Sequence, residues 1–121
     1  MSIEEIIISY LTGLNLPGIG SNVYAEAPEN EEVYVLVQRA GGSQANYIRE
    51  HRIYTEVCVT RDDSKGQTKL HALNLHEAVV NAMLKLPDST NVYGCHLNSD
   101  YEATNFAKKQ YRYQALWQIT I

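Results

Sequence analysis

Residues 33–61, VYVLVQRAGGSQANYIREHRIYTEVCVTR, decide the fold, because two strand patterns flank one break. Val33–Ala40 is rich in β-branched and aromatic residues. Val33, Val35 and Val37 fall on one face and Tyr34 and Leu36 on the other, so both faces are apolar. That suits a central strand, or one whose second face is covered by a partner. His51–Arg61 alternates more cleanly, with Ile53, Val57 and Val59 one way and Arg52, Tyr54, Glu56, Cys58 and Thr60 the other. Gly41-Gly42 breaks the first pattern, which predicts a loop over Gly41–Glu50, polar apart from Tyr47 and Ile48.

Upstream, Ser2 and Glu5 have the spacing of a capping box. Ile3, Ile6, Ile7, Tyr10 and Leu11 then repeat at helical spacing, predicting a helix over 3–12 with Gly13 as the residue that ends it. Pro17-Gly18-Ile19-Gly20 is turn chemistry, Val23–Ala27 a short strand, and Glu29–Glu32 a charged turn. Downstream, Asp62–Gly66 is a turn. Leu75, Val79, Ala82, Met83 and Leu86 then form a helical stripe that Pro87 terminates. Asn74 with Glu77 is a possible cap for this helix, while Leu70 and Leu73 extend its period backward. Val92–Leu97 reads as a strand, Asn98–Gln110 as a polar excursion, and Tyr111–Ile121 as a strand whose odd positions should meet the helices. The order α-β-β-β-α-β-β predicts an α+β domain, residues 1–121, in which one largely antiparallel sheet carries two helices on one face.

The composition is that of an ordinary globular domain: 121 residues, 45% apolar and 20% charged. Nine tyrosines against one Phe and one Trp suit a surface part dry and part wet. The net charge of −4 disfavours a dedicated nucleic-acid binder. Residues 1–38 hold six glutamates and no Lys or Arg, whereas the remainder holds all ten basic residues against eight acidic ones. Such a division can steer one copy onto another. No apolar run approaches the roughly 18 residues of a membrane span.

Catalytic and metal signatures are weak. His71 and His76 are five apart, so a helix would point them in divergent directions, and Cys95-His96 alternate faces on a strand. Neither Cys58 nor Cys95 stands at a helix start or in a basic setting that would activate a thiol, and buried free thiols are expected. Gly18-Ile19-Gly20 follows a helix and not a strand, so it lacks the context of a phosphate loop. No cofactor, metal or catalytic residue is assigned. A small enzyme or ligand-binding domain using Cys95, His96 or His51 would require a concave pocket where polar groups converge.

An N-terminal helix running into YLTGLNLPGIGSNVY, an acidic proline-containing turn, then VYVLVQRAGG closed by Arg39-Ala40-Gly41-Gly42, and finally YRYQALWQITI, together resemble the tail terminator (tail completion) neck proteins of tailed bacteriophages and the related minor capsid family. The resemblance covers nearly the whole chain through patterns of residue type. It implies a non-enzymatic virion protein, made in the host cytoplasm, that forms a ring, commonly a hexamer. The ring would cap the finished tail tube and meet the head connector, and DNA would pass through its lumen without specific binding. A head-completion, connector or minor capsid role is the alternative within the same class. Under this reading Tyr47, Ile48, Arg49 and Arg52, with Arg39, serve contact between proteins, and Tyr34, Leu36 and Tyr54 serve packing between copies.

Overall fold

The computed structural model describes residues 2–45 and 48–121, with the backbone alone over 41–45 and 48–49. Its elements are α1 (Ile3–Leu14), β1 (Val23–Tyr24), β2 (Val33–Ala45), β3 (Ile48–Thr60), a 3-10 turn (Asp63–Lys65), α2 (Lys69–Leu84), α3 (Leu86–Ser89), β4 (Gly94–Glu102) and β5 (Gln110–Thr120). The strands form one sheet in the order β1-β2-β3-β5-β4. Only the two-residue β1 runs parallel to its neighbour. The α+β class and the largely antiparallel sheet read from the sequence are those of the structure.

One face of the sheet carries the main core. Ile3, Ile7 and Leu11 of α1 and Ala72, Leu75, Val79 and Met83 of α2 pack on Val35, Val37, Ile53, Val57, Val59, Tyr113, Ala115, Trp117 and Ile119. The odd positions of β5 point inward, as their alternation requires. Trp117 is fully buried, and its indole N–H donates to Thr55 Oγ1 at 3.0 Å, which meets the polar need of two interior side chains. The Tyr10 hydroxyl donates to the Ala82 carbonyl at 2.8 Å and ties α1 to α2. Gly18, at φ 81°, lets the turn after α1 press on α2, since a Cβ there would stand 3.0 Å from Leu75 Cδ2.

The capping box is present, with the Ser2 hydroxyl accepting from the Glu5 amide and the Glu5 side chain meeting the Ser2 amide. Several boundaries differ from expectation. The left-handed residue that closes α1 is Asn15, not Gly13. Helix α2 begins at Lys69 because the Thr68 hydroxyl accepts from the His71 amide, so Asn74 and Glu77 lie within the helix. Pro87 falls in the first turn of α3, a position where its missing N–H costs nothing.

The largest departure concerns Gly41–Glu50. It is no ten-residue loop: β2 and β3 stay paired to Ala45↔Ile48, and Gly41 and Gly42 sit opposite Arg52 and His51 in the ladder. One extra residue, Ala40, forms a bulge between Arg39 and Gly41. Pairing of β3 with β5 stops at Glu50↔Thr120. Beyond it the β2–β3 hairpin continues as an arm past the sheet.

Candidate interaction surfaces

The second sheet face is not an open apolar patch. Tyr34, Leu36 and Cys58, with Tyr24 against them, make a small separate cluster in which Tyr34 is 4% and Leu36 6% exposed. A polar layer from the same chain knits over it. Gln110 Nε2 donates to the Tyr34 hydroxyl, Arg112 Nε to Gln110 Oε1, and Gln114 Nε2 to Glu56 Oε2. The buried Glu56 carboxylate also lies 3.4 Å from Arg112 Nη1. Tyr34 and Leu36 therefore sit beneath this layer, and the face offered outward is mostly polar.

The other residues singled out from the sequence fall in three places. Arg39, Gln38 and Tyr54 gather at the outer edge of β2. The Tyr54 hydroxyl donates to Gln38 Oε1, Gln38 Nε2 donates to the Ala25 carbonyl, and Arg39 Nη2 bonds Glu4 Oε1 at 2.8 Å. Ile48 and Arg49 lie on the β3 side of the arm, whereas Arg52, exposed, lies in the body of the sheet and pairs with Gly41 on one side and Gln118 on the other. Tyr47 lies outside the described residues.

Sequence reasoning did not reveal the cleft at that β2 edge. It encloses about 550 Å³ between Ser2, Glu4, Glu5 and Ile8 of the α1 end and Ala25–Glu26 after β1, with Val37, Gln38, Arg39 and Tyr54 as its floor. Three carboxylates face one guanidinium there. The signal in the sequence was the acidic first third of the chain, but only the parallel pairing of β1 brings Glu26 beside Glu4 and Glu5.

His76 is the second feature that spacing did not show. Far from a surface or capping histidine, it is 1% exposed, stacks on Tyr113 with ring centroids 5.6 Å apart, and places Nε2 2.6 Å from Asp100 Oδ1. A bulge at Asn98 makes this possible. Leu97 pairs with Trp117, but Ser99 pairs with Leu116 and Asp100 with Ala115, so the extra residue turns Asp100 onto the core face beneath α2.

Neither thiol is activated as a nucleophile. Burial pushes Cys95 up to about 12, and burial followed by the Glu56 carboxylate pushes Cys58 up to about 12, the reverse of nucleophile activation. Cys95 points inward while His96 is exposed. Among the described residues no three His, Cys, Asp or Glu side chains converge to hold a metal ion. Among the described residues no helix is long and apolar enough to cross a membrane.

No protein-family model and no curated protein matches the chain. A solved structure does. The chain is similar in fold to a protein in the virion of a native gene transfer agent particle. The superposition has a TM-score of 0.69 and covers 98% of this chain and 93% of the virion chain at 12% sequence identity. At that identity the likeness to the virion protein is one of backbone architecture.

Proposed function

We propose that this chain is a structural protein of a tailed phage-like particle, which assembles into a ring at the neck, caps the tail tube and joins tail to head. The observation that carries this reading is the near end-to-end likeness to the gene transfer agent virion chain. The surfaces are compatible with it. The thiols are buried and inert, and the features that remain unsatisfied at the surface are a strand edge, an extended arm and divided charge. A ring requires two different surfaces on each protomer, and the β2 edge and the arm supply two. The acidic balance of the chain lets DNA traverse a lumen without being held, because phosphate is gripped by Lys and Arg.

Light scattering coupled to size exclusion, with negative-stain imaging, tests this in the presence and absence of tail tube protein. Closed rings that attach to tube ends are the expected result. A protein that stays monomeric at high concentration both alone and with tube protein overturns the proposal. Rings that bind the head connector but ignore the tube would assign the chain to the head side of the neck.

A further inference from the structure

We infer that the turn between β4 and β5, with Phe106 exposed on it, plugs into the cleft beside β2 on a second copy of this chain. The inference rests on the assembly reading above and names one head-to-tail contact for it, separate from any contact the arm makes.

The turn is a prepared anchor. Asn105 and Gln110 exchange both backbone hydrogen bonds, at 2.9 and 3.1 Å. Between them the Lys109 N–H donates to the Phe106 carbonyl at 3.2 Å, and Asn105 Oδ1 accepts from the Lys108 N–H at 3.2 Å. Lys109, at φ 52°, closes the turn in the left-handed region. Its carbonyl accepts from the Arg61 N–H at 2.8 Å, which ties the turn to the end of β3. A backbone held in this way has little freedom left to lose on binding. It carries Phe106 81% exposed and outside both buried clusters. An aromatic side chain that fills a pocket on its partner is the kind of residue that dominates binding energy.

Fit and charge select the occupant. The cleft, about 550 Å³, offers Ile8, Ala25 and the Tyr54 ring as apolar surface, and sets Glu4, Glu5 and Glu26 against Arg39 alone. It is therefore net negative. The turn Asn105–Gln110 carries Lys108 and Lys109 and no acidic residue. Lys108 shares a hollow with Glu29 and Glu31, yet neither lysine makes an ion pair among the described residues. Opposite charge on the two surfaces favours their encounter and fixes their register. The turn cannot fill the cleft of its own chain. Gln110, at its base, pairs with Thr60, six residues along β3 from Tyr54 in the cleft, and that span is about 20 Å at strand spacing. A phenylalanine side chain does not bridge it. Two different surfaces are thus joined, the relation from which rings are built.

Sedimentation across a concentration series tests the contact, on the full chain and on variants first shown to unfold within a few degrees of the parent. Phe106→Ala, and the pair Lys108→Glu with Lys109→Glu, should each weaken self-association by roughly tenfold or more. So should Glu26→Lys with Glu5→Gln, which leaves the cleft one excess positive charge; glutamine serves a capping box as glutamate does. Uniting the two charge reversals in one chain should recover most of the loss. In Phe106→Trp the indole on the turn starts in water, whereas Trp117 is already buried. Emission should therefore move to shorter wavelength as the assembled fraction rises. Rings that form unchanged in Phe106→Ala or in the charge-reversed turn, or an emission maximum equal in ring and monomer, overturn the contact and leave the ring reading intact. Rings of Phe106→Ala that stay whole but no longer hold the tube end give the turn to the tube and overturn the contact likewise. A monomer under every condition, with tube protein included, overturns both.

Discussion

At the residue scale, the two cysteines summarise how this chain treats reactive groups. Cys58 lies in the second-face cluster beside the Glu56 carboxylate, and Cys95 on the inner side of β4. Both are raised from 9.0 to about 12 by burial, with Glu56 adding to Cys58. At about pH 8 each thiol then has roughly a thousandfold less thiolate than a free cysteine, and thiolate is the reacting form. A disulfide-exchange reagent should register no thiol in the native protein and two after denaturation in concentrated guanidinium. Rapid labelling of the native chain would show that burial is incomplete. The sequence anticipated buried cysteines, because neither has a paired spacing or a basic neighbour. It did not anticipate His76, whose burial depends on Asp100, a residue that period-two counting assigns to the other face.

At the element scale, exposed ion pairs close the turns between strands and helices. Glu32, before β2, accepts from Lys65 Nζ at 3.1 Å and from Gln67 Nε2 at 3.2 Å. Lys65 and Gln67 hold its carboxyl below the ordinary 4.5. Glu102, at the end of β4, is lowered by hydrogen bonds from Thr104 and Lys69. A carboxylate with a depressed folded value adds stability that is complete above its unfolded value, and that stability is lost as pH falls through the folded one. Thermal unfolding temperature should therefore fall on acidification below about pH 4.5. The double variant Glu32→Gln/Glu102→Gln should show a shallower fall over the same range, and equal slopes would remove these pairs from the account. The effect is expected to be small, since both side chains are solvent-exposed and screened.

Legibility varied between elements for the same kind of reason. Helix α1 and strand β5 were clear because one face of each is buried and the other wet. The arm was hidden by Gly41-Gly42, which read as a break although both glycines pair within the ladder. The outer half of β4, Ser99–Glu102, read as loop because an edge strand exposed to water has no apolar alternation to betray it. Thr68 as the cap of α2 was masked by the equally plausible Asn74.

At the scale of the whole molecule, the body and the arm separate cleanly. Every pair between β3 and β5 lies within Glu50–Thr60 of β3, and the helices pack over that part of the sheet. Replacing residues 43–49 with an Asn-Gly turn, which favours a tight hairpin, should leave the unfolding temperature within a few degrees of the parent, as expected when under about 1 kcal/mol is lost. The trimmed chain should no longer self-associate. A large loss of stability would place the arm in the fold of the single chain, and retained assembly would place the interface elsewhere.

The Asn98 bulge has a bearing on how this chain can change in length. Insertions and deletions are usually absorbed in surface segments, and Asn98 is exposed. Loss of that one codon would remove the extra residue and leave Ser99 opposite Leu116 and Asp100 opposite Ala115. Were Asn98 instead drawn into the ladder opposite Leu116, Ser99 would face Ala115 and Asp100 would turn to the far side of the sheet. The imidazole of His76, whose Nδ1 has no partner among the described residues, would then lie in the interior with neither nitrogen bonded. The rim can therefore shed a residue, but it cannot be straightened without cost at the centre.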